Sequence, residues 1–209
     1  MKLKRLLVMS MAALSILMVG CQDDKNSSDK ASTSSQSVSE SIDINTYHET
    51  IPVPEEGWTA ETLNKTIYIN GKNVSFPFTI QDLGEGFEWH PEEFVLYETK
   101  NIAGNLILYN GQEFATAFVD ATNKDKLAES KIKFLLNTAK GMNLLYINGV
   151  TIGSTVNQVT DALGEPTEVY APEGVVKVIR YTDGKITIVF LFDDKYINTI
   201  DIDIKMEDE

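Results

Sequence analysis

The sequence predicts an α+β fold made of two tandem units, each a short helix followed by a three-stranded antiparallel sheet. Three observations predict it. Tyr68-Ile69-Asn70-Gly71 recurs as Tyr146-Ile147-Asn148-Gly149. Each copy is followed by a Leu-Gly-Glu step, at Leu83-Gly84-Glu85 and Leu163-Gly164-Glu165. Each then runs to a hairpin signal, Tyr109-Asn110-Gly111 and Tyr181-Thr182-Asp183-Gly184. An Asn-Gly pair alone only marks a good turn. Three features in one order point to a duplicated unit, and repeats decide architecture before any other signal.

The second unit, 141–209, reads clearly. Thr155 stands as N-cap with Gln158 three residues on, the spacing of a capping box. Val156, Val159 and Leu163 share one helical face, Gly164 suits the position after the helix, and Pro166 blocks continuation. Strands are expected at 175–181, 185–192 and 196–204. In the last, Ile200, Ile202 and Ile204 alternate with Thr199, Asp201 and Asp203, the period of a half-buried strand. The first unit, 43–140, mirrors this loosely, with a helix at 79–83 ended by Gly84 and a hairpin at 105–109 and 112–120. Residues 127–139 fit both a helical stripe and an alternating strand. The repeat favours a strand at 131–136, and Ile132, Phe134 and Leu136 would then share a face.

Ahead of the units lie two segments expected to stay outside the fold. Residues 1–20 have a basic start (Lys2, Lys4, Arg5), an apolar run from Leu6 to Val19 and a small Gly20, the order of a secretory signal peptide. Cys21 is the only cysteine. The segment Leu17-Met18-Val19-Gly20-Cys21 resembles the lipobox of bacterial lipoproteins, with Met18 where Leu is usual. The resemblance implies cleavage before Cys21 and acylation of its sulfur with diacylglycerol. Two or three acyl chains hold firmly, each buried methylene contributing roughly 0.8 kcal/mol. Residues 21–42 are a Ser-rich tether whose composition cannot offset its ordering entropy. The expectation is a domain anchored on the extracytoplasmic face of a cell membrane, its first partner being membrane lipid.

Charge narrows the partners further. The signal carries three of the 18 basic residues and no acid, leaving 15 against 31 acidic ones, a net charge of −16. Nucleic acid is excluded as a natural ligand of such a surface. The scarcity of arginine beside abundant Lys, Asn and Ile suits a Gram-positive source. With one cysteine there is no internal disulfide.

Gly153-x-Thr155-x3-Val159-x3-Leu163-Gly164-x-Pro166, with 187–192 and 196–200 after it, resembles the signature of SmpA/OmlA lipoprotein domains, the BamE type. The tandem arrangement resembles the duplicated helix-plus-sheet fold of beta-lactamase inhibitor protein (BLIP). These resemblances imply a BamE/BLIP-like fold and a protein-binding habit. The residues that carry them cap a helix and close a turn, so none is carried over as a binding residue.

No pattern of catalytic groups stands out, and a non-enzymatic role without cofactor is expected. His48 lies near the tether, and His90 precedes Pro91 in a loop beside Glu88, Glu92 and Glu93. A solvated loop histidine is a simpler reading of His90 than a metal ligand, and no metal or catalytic residue is assigned. Asp193-Asp194 lacks the ligand spacing of a calcium loop. Phe76, Phe78, Phe87, Trp89, Phe94 and Tyr97 form an aromatic set that suits a core or an interface. Trp89 and His90 are its candidates for partner contact. The leading expectation is an envelope interaction module that binds another protein through its sheet or loops. The alternative is a small-ligand or peptide receptor of a transport or sensing system.

Overall fold

A computed structural model describes residues 42–92 and 94–205. The signal peptide, Cys21 and the tether up to residue 41 lie outside the described residues, as does the acidic tail from 206. Ile42, at the tether's expected end, already packs against the core. Among the described residues no helix is long and apolar enough to cross a membrane.

The chain enters through an extended segment, 42–58. Helix α1 (Ala60–Lys65) follows, closed at its start by a capping box between Thr59 and Thr62. Strands β1 (Ile67–Ile69) and β2 (Lys72–Asn73) form a hairpin across Asn70-Gly71. Helix α2 (Ile80–Leu83) leads to the short strands β3 (Phe87–Trp89) and β4 (Val95–Tyr97). The long strands β5 (Ile102–Tyr109), β6 (Gln112–Asp120) and β7 (Ile132–Thr138) come next. Strand β8 (Leu145–Ile147), helix α3 (Val156–Leu163) and strands β9 (Glu168–Tyr170), β10 (Val178–Thr182), β11 (Ile186–Asp193) and β12 (Tyr196–Ile204) complete it.

The expected fold class does not hold. The molecule is mostly β: nine strands form one antiparallel sheet in the order β3-β5-β6-β7-β12-β11-β10-β9, with β4 also paired to β5. The helices have only six, four and eight residues. Two BamE/BLIP-like units, each a helix with its own three-stranded sheet, are therefore not what the chain builds. The reason lies in strand edges. A free edge presents unpaired N–H and C=O groups, and β7 and β12 satisfy theirs on each other, from Thr138↔Thr199 to Phe134↔Asp203. Short strands that the periodicity did not reveal extend both outer edges.

The strand order reads alike from either edge. Leu136 pairs with Asp201 at the centre, so Leu135 faces Ile202 and Asn137 faces Ile200. Strands β7 and β12 each carry a bulge at the matching step, Lys133 opposite Phe118/Val119 and Asn198 opposite Leu191/Phe192. In a second, three-stranded sheet, β2-β1-β8, the two Tyr-Ile-Asn-Gly copies lie against each other with Tyr68 opposite Tyr146.

One face of the large sheet is covered. The inner row Ala117–Leu135–Ile202–Ile188–Tyr181 is buried and belongs to one core with Leu63 of α1, Ile67 and Ile69 of β1, Ile147 of β8, and Val159 and Leu163 of α3. Each fully buried Leu or Ile contributes roughly 1.5–3 kcal/mol. Helix α3 begins with the expected capping box between Thr155 and Gln158. Its last carbonyls have side-chain donors: Asn148 Nδ2 on Ala162 at 2.7 Å, Trp58 Nε1 on Leu163 at 2.6 Å and Tyr181 Oη on Gly164 at 2.8 Å. Such carbonyls have no partner within a helix.

The entering segment is strapped across the small sheet. Asn70 and Asn148 sit at φ 47° and 48°, the left-handed region Asn tolerates. Asn70 Oδ1 accepts from Asn45 N, and Asn148 Oδ1 accepts from Ile51 N, both at 2.8 Å. The His48 ring stacks on Tyr146 at 4.7 Å.

Candidate interaction site on the open sheet face

The other face of the sheet is left uncovered. Alternation along β11 makes this plain: Ile186, Ile188, Phe190 and Phe192 are buried, while Thr187, Val189 and Leu191 between them are half-exposed. The pairing registers carry the open face across the strands in rows. The central row is Leu106–Thr116–Leu136–Asp201–Val189–Arg180–Glu168. A neighbouring row is Gly104–Phe118–Phe134–Asp203–Thr187–Thr182.

The β5–β7 side of this face is aromatic. Tyr97, Phe118 and Phe134 form a chain of tilted and edge-on contacts, with centroids 5.7 and 5.3 Å apart. Gly104 makes room for it, since a Cβ there would stand 2.8 Å from Phe118 Cε1. Val95, Leu96 and Tyr97 on the neighbouring edge are exposed, as are Val169 and Tyr170 on the far edge. An open face with this many apolar side chains is the kind of surface that marks an interaction site.

Charges on the face are distributed unevenly. Asp120 is paired with Lys133, the residue at the β7 bulge. That bond, with help from Thr122, holds the Asp120 carboxyl down to about 2. Arg180 is paired with Glu168, though its Nε is shielded and has no acceptor. Asp201 is different. Its Oδ1 is shielded from solvent and accepts no hydrogen bond. Burial among apolar neighbours, then repulsion from Asp203, pushes its carboxyl up to about 6.

The aromatic set divides between the faces. Phe76 and Phe78 are buried and meet edge to face at 4.7 Å. Phe87 packs on Tyr109 and Phe114. Trp89 stands opposite Ile107 on the inner side, against Phe94 at 4.9 Å, with Nε1 donating to Ala128 O at 3.1 Å. His90 continues the β3 register with its N donating to Leu106 O, which sets it at the rim of the central row. Its Nδ1 accepts from Glu92 N at 3.2 Å. Trp89 and His90 thus fall on opposite sides of the sheet, and only His90 borders the open face.

The 127–139 ambiguity resolves into 3-10 turns at Lys124–Glu129 and the strand β7. The bulge at Lys133 corrects the expected grouping of Ile132, Phe134 and Leu136: Ile132 points into the core, while Phe134 and Leu136 take the open face. Phe134 and Asp201 enter from sequence only as strand positions, and Phe118 not at all; none of the three is a candidate contact residue there. The polar-apolar alternation of 112–120 and 196–204 contains the signal for Phe118 and Asp201.

Asp193 ends β11, and Asp194 turns into β12 at φ 52°. Among the described residues no three His, Cys, Asp or Glu side chains are grouped to hold a metal ion. Beside the strap, an open groove of about 640 Å³ is lined by Thr50, Pro52, Val53, Gln158 and Asp161 among others. Comparison with protein-family models, curated proteins and solved structures finds no match for this chain.

Proposed function

We propose that this chain is a lipid-tethered, non-catalytic interaction module of the cell envelope, and that its open sheet face docks another envelope protein. The observation that carries the reading is the asymmetry between the faces of one sheet. The inner face is sealed by helices and the small sheet, while the outer face keeps Phe118, Phe134, Leu136, Val189 and Leu191 at the surface. Eight strands at about 4.8 Å spacing make this face roughly 34 Å wide, enough for the ~800 Å² that each partner of a stable complex buries. The lipobox-like segment ending in Cys21, followed by a Ser-rich tract, supports the address.

A photo-reactive phenylalanine analogue placed at Leu106 or Val178, on the open face, tests docking in intact cells of the native source. A discrete protein adduct is expected from both positions and none from Gln158, exposed on α3. Equal labelling from all three would sink the docking reading. The tether is tested separately: Cys21→Ser should abolish incorporation of an alkynyl fatty acid and release the domain from membranes. Retention of the label would refute acylation at that residue.

A further inference from the structure

We infer that the docked protein seats one cationic side chain, a lysine or arginine rising from an apolar surface, against Asp201 at the centre of the open face. This rests on the docking reading above and gives the partner its chemistry.

Position and missing partners carry the inference. Asp201 lies on the central row between Leu136 and Val189, two side chains that cannot hydrogen-bond a carboxylate. Shielding a polar oxygen without a partner is costly, and more so for a charged group. The basic residues within the nearby strands β7 and β10 are engaged elsewhere, and β11 has none. Lys133 is held by Asp120. Arg180, on the same row beyond Val189, is held by Glu168. The next outward residue on β12, Asp203, adds a second negative charge about 6.8 Å along the strand. Across β7 the open-face neighbours are Phe134, Leu136 and Thr138, and across β11 they are Thr187, Val189 and Leu191. None of these can supply a positive charge.

The occupant follows from charge complementarity. A cation at Asp201 would meet two carboxylates in a partly desolvated setting, where attraction is stronger than in water. The apolar surround favours a cation carried by an apolar surface over a free hydrated ion. An anionic occupant would face Asp201, Asp203 and a chain of net charge −13.

The test uses the full chain in native membranes, with the photo-reactive group at Leu106. Asp201→Asn keeps the shape and removes the charge, and it leaves folding intact because it relieves an unpaired acid. The adduct yield is expected to fall at least tenfold in Asp201→Asn, while Asp201→Glu retains a measurable share. Yield should also rise severalfold from pH 5 to pH 7 as Asp201 ionises, and that rise should vanish in Asp201→Asn. An undiminished adduct in Asp201→Asn would overturn the cation contact and leave docking standing. Absence of any adduct in the unmodified background would overturn both. A product of twice the chain's mass, or a lipid adduct, would replace the protein partner and likewise overturn the inference.

Discussion

The two halves of the open sheet face occupy matched positions and are finished differently. In the β5–β7 half the acid is answered within the chain: Asp120, at the end of β6, has Lys133, and the aromatic rings of Tyr97, Phe118 and Phe134 cover one another. In the β10–β12 half the matching places hold Leu191 for Phe118, Thr199 for Phe134 and Asp201 for Leu136, by the registers on either side of the centre. There the acid has no cation. One half is complete in isolation, and the other leaves a shielded carboxylate oxygen without a partner, the place where the proposed docking partner would supply a counter-charge.

That comparison can be broken most forcefully by separating the inner face from the outer. Ile200→Ala removes a fully buried side chain beside Asp201 and should cost about 2–5 kcal/mol in chemical denaturation. Phe134→Ala, on the open face, should cost about 1 kcal/mol or less, since half-exposed side chains contribute less. Equal losses would mean that the outer face is part of the core and not reserved for a partner.

The two acids sharpen the comparison through opposite pH dependence. Asp201 has its folded-state pKa raised to about 6 from an ordinary 3.8. The folded state then holds the proton more tightly, so stability from this group is present at low pH and is lost as pH rises through 6. Asp201→Asn should therefore stabilise the domain by about 1–2 kcal/mol at pH 8 and have no effect below pH 4. Asp120, lowered to about 2, behaves in reverse: its contribution is present above pH 4 and is lost as pH falls through 2. Asp120→Asn should cost about 1 kcal/mol at pH 7, a figure reduced because the pair is partly exposed. Denaturation midpoints of the two variants across pH 3–8 check both signs, and two curves of the same slope would erase the distinction.

How much of this was legible in the sequence depended on whether the signal was local. The capping box of α3, the hairpin turns and the alternation of β12 are each set by neighbours within ten residues, and all could be read. Helix α1 escaped because six residues around Leu63 offer no apolar period and its capping box uses Thr62 in place of Glu or Gln. The strands β3, β4 and β9 have three residues each, too short to show a period. The fold class was missed for a longer-range reason: the pairing of β7 with β12 joins residues more than sixty apart and merges the two halves into one sheet.

The candidate site was legible to the same extent. Asp201 falls on the polar side of an alternating strand, where a solvated carboxylate is the ordinary expectation. That it lacks a cation is decided by strand order, which gives Lys133 to Asp120 and Arg180 to Glu168. Phe134 was hidden by the bulge at Lys133, which reverses the facing of the residues after it.

The carboxyl of Asp201 can be followed by carbon-detected NMR titration of the chain shortened to start at Ile42. A midpoint near pH 6 is predicted, with Asp120 titrating near 2 in the same experiment. A midpoint for Asp201 below pH 4 would show that its charge is already answered within the chain and would contradict the account.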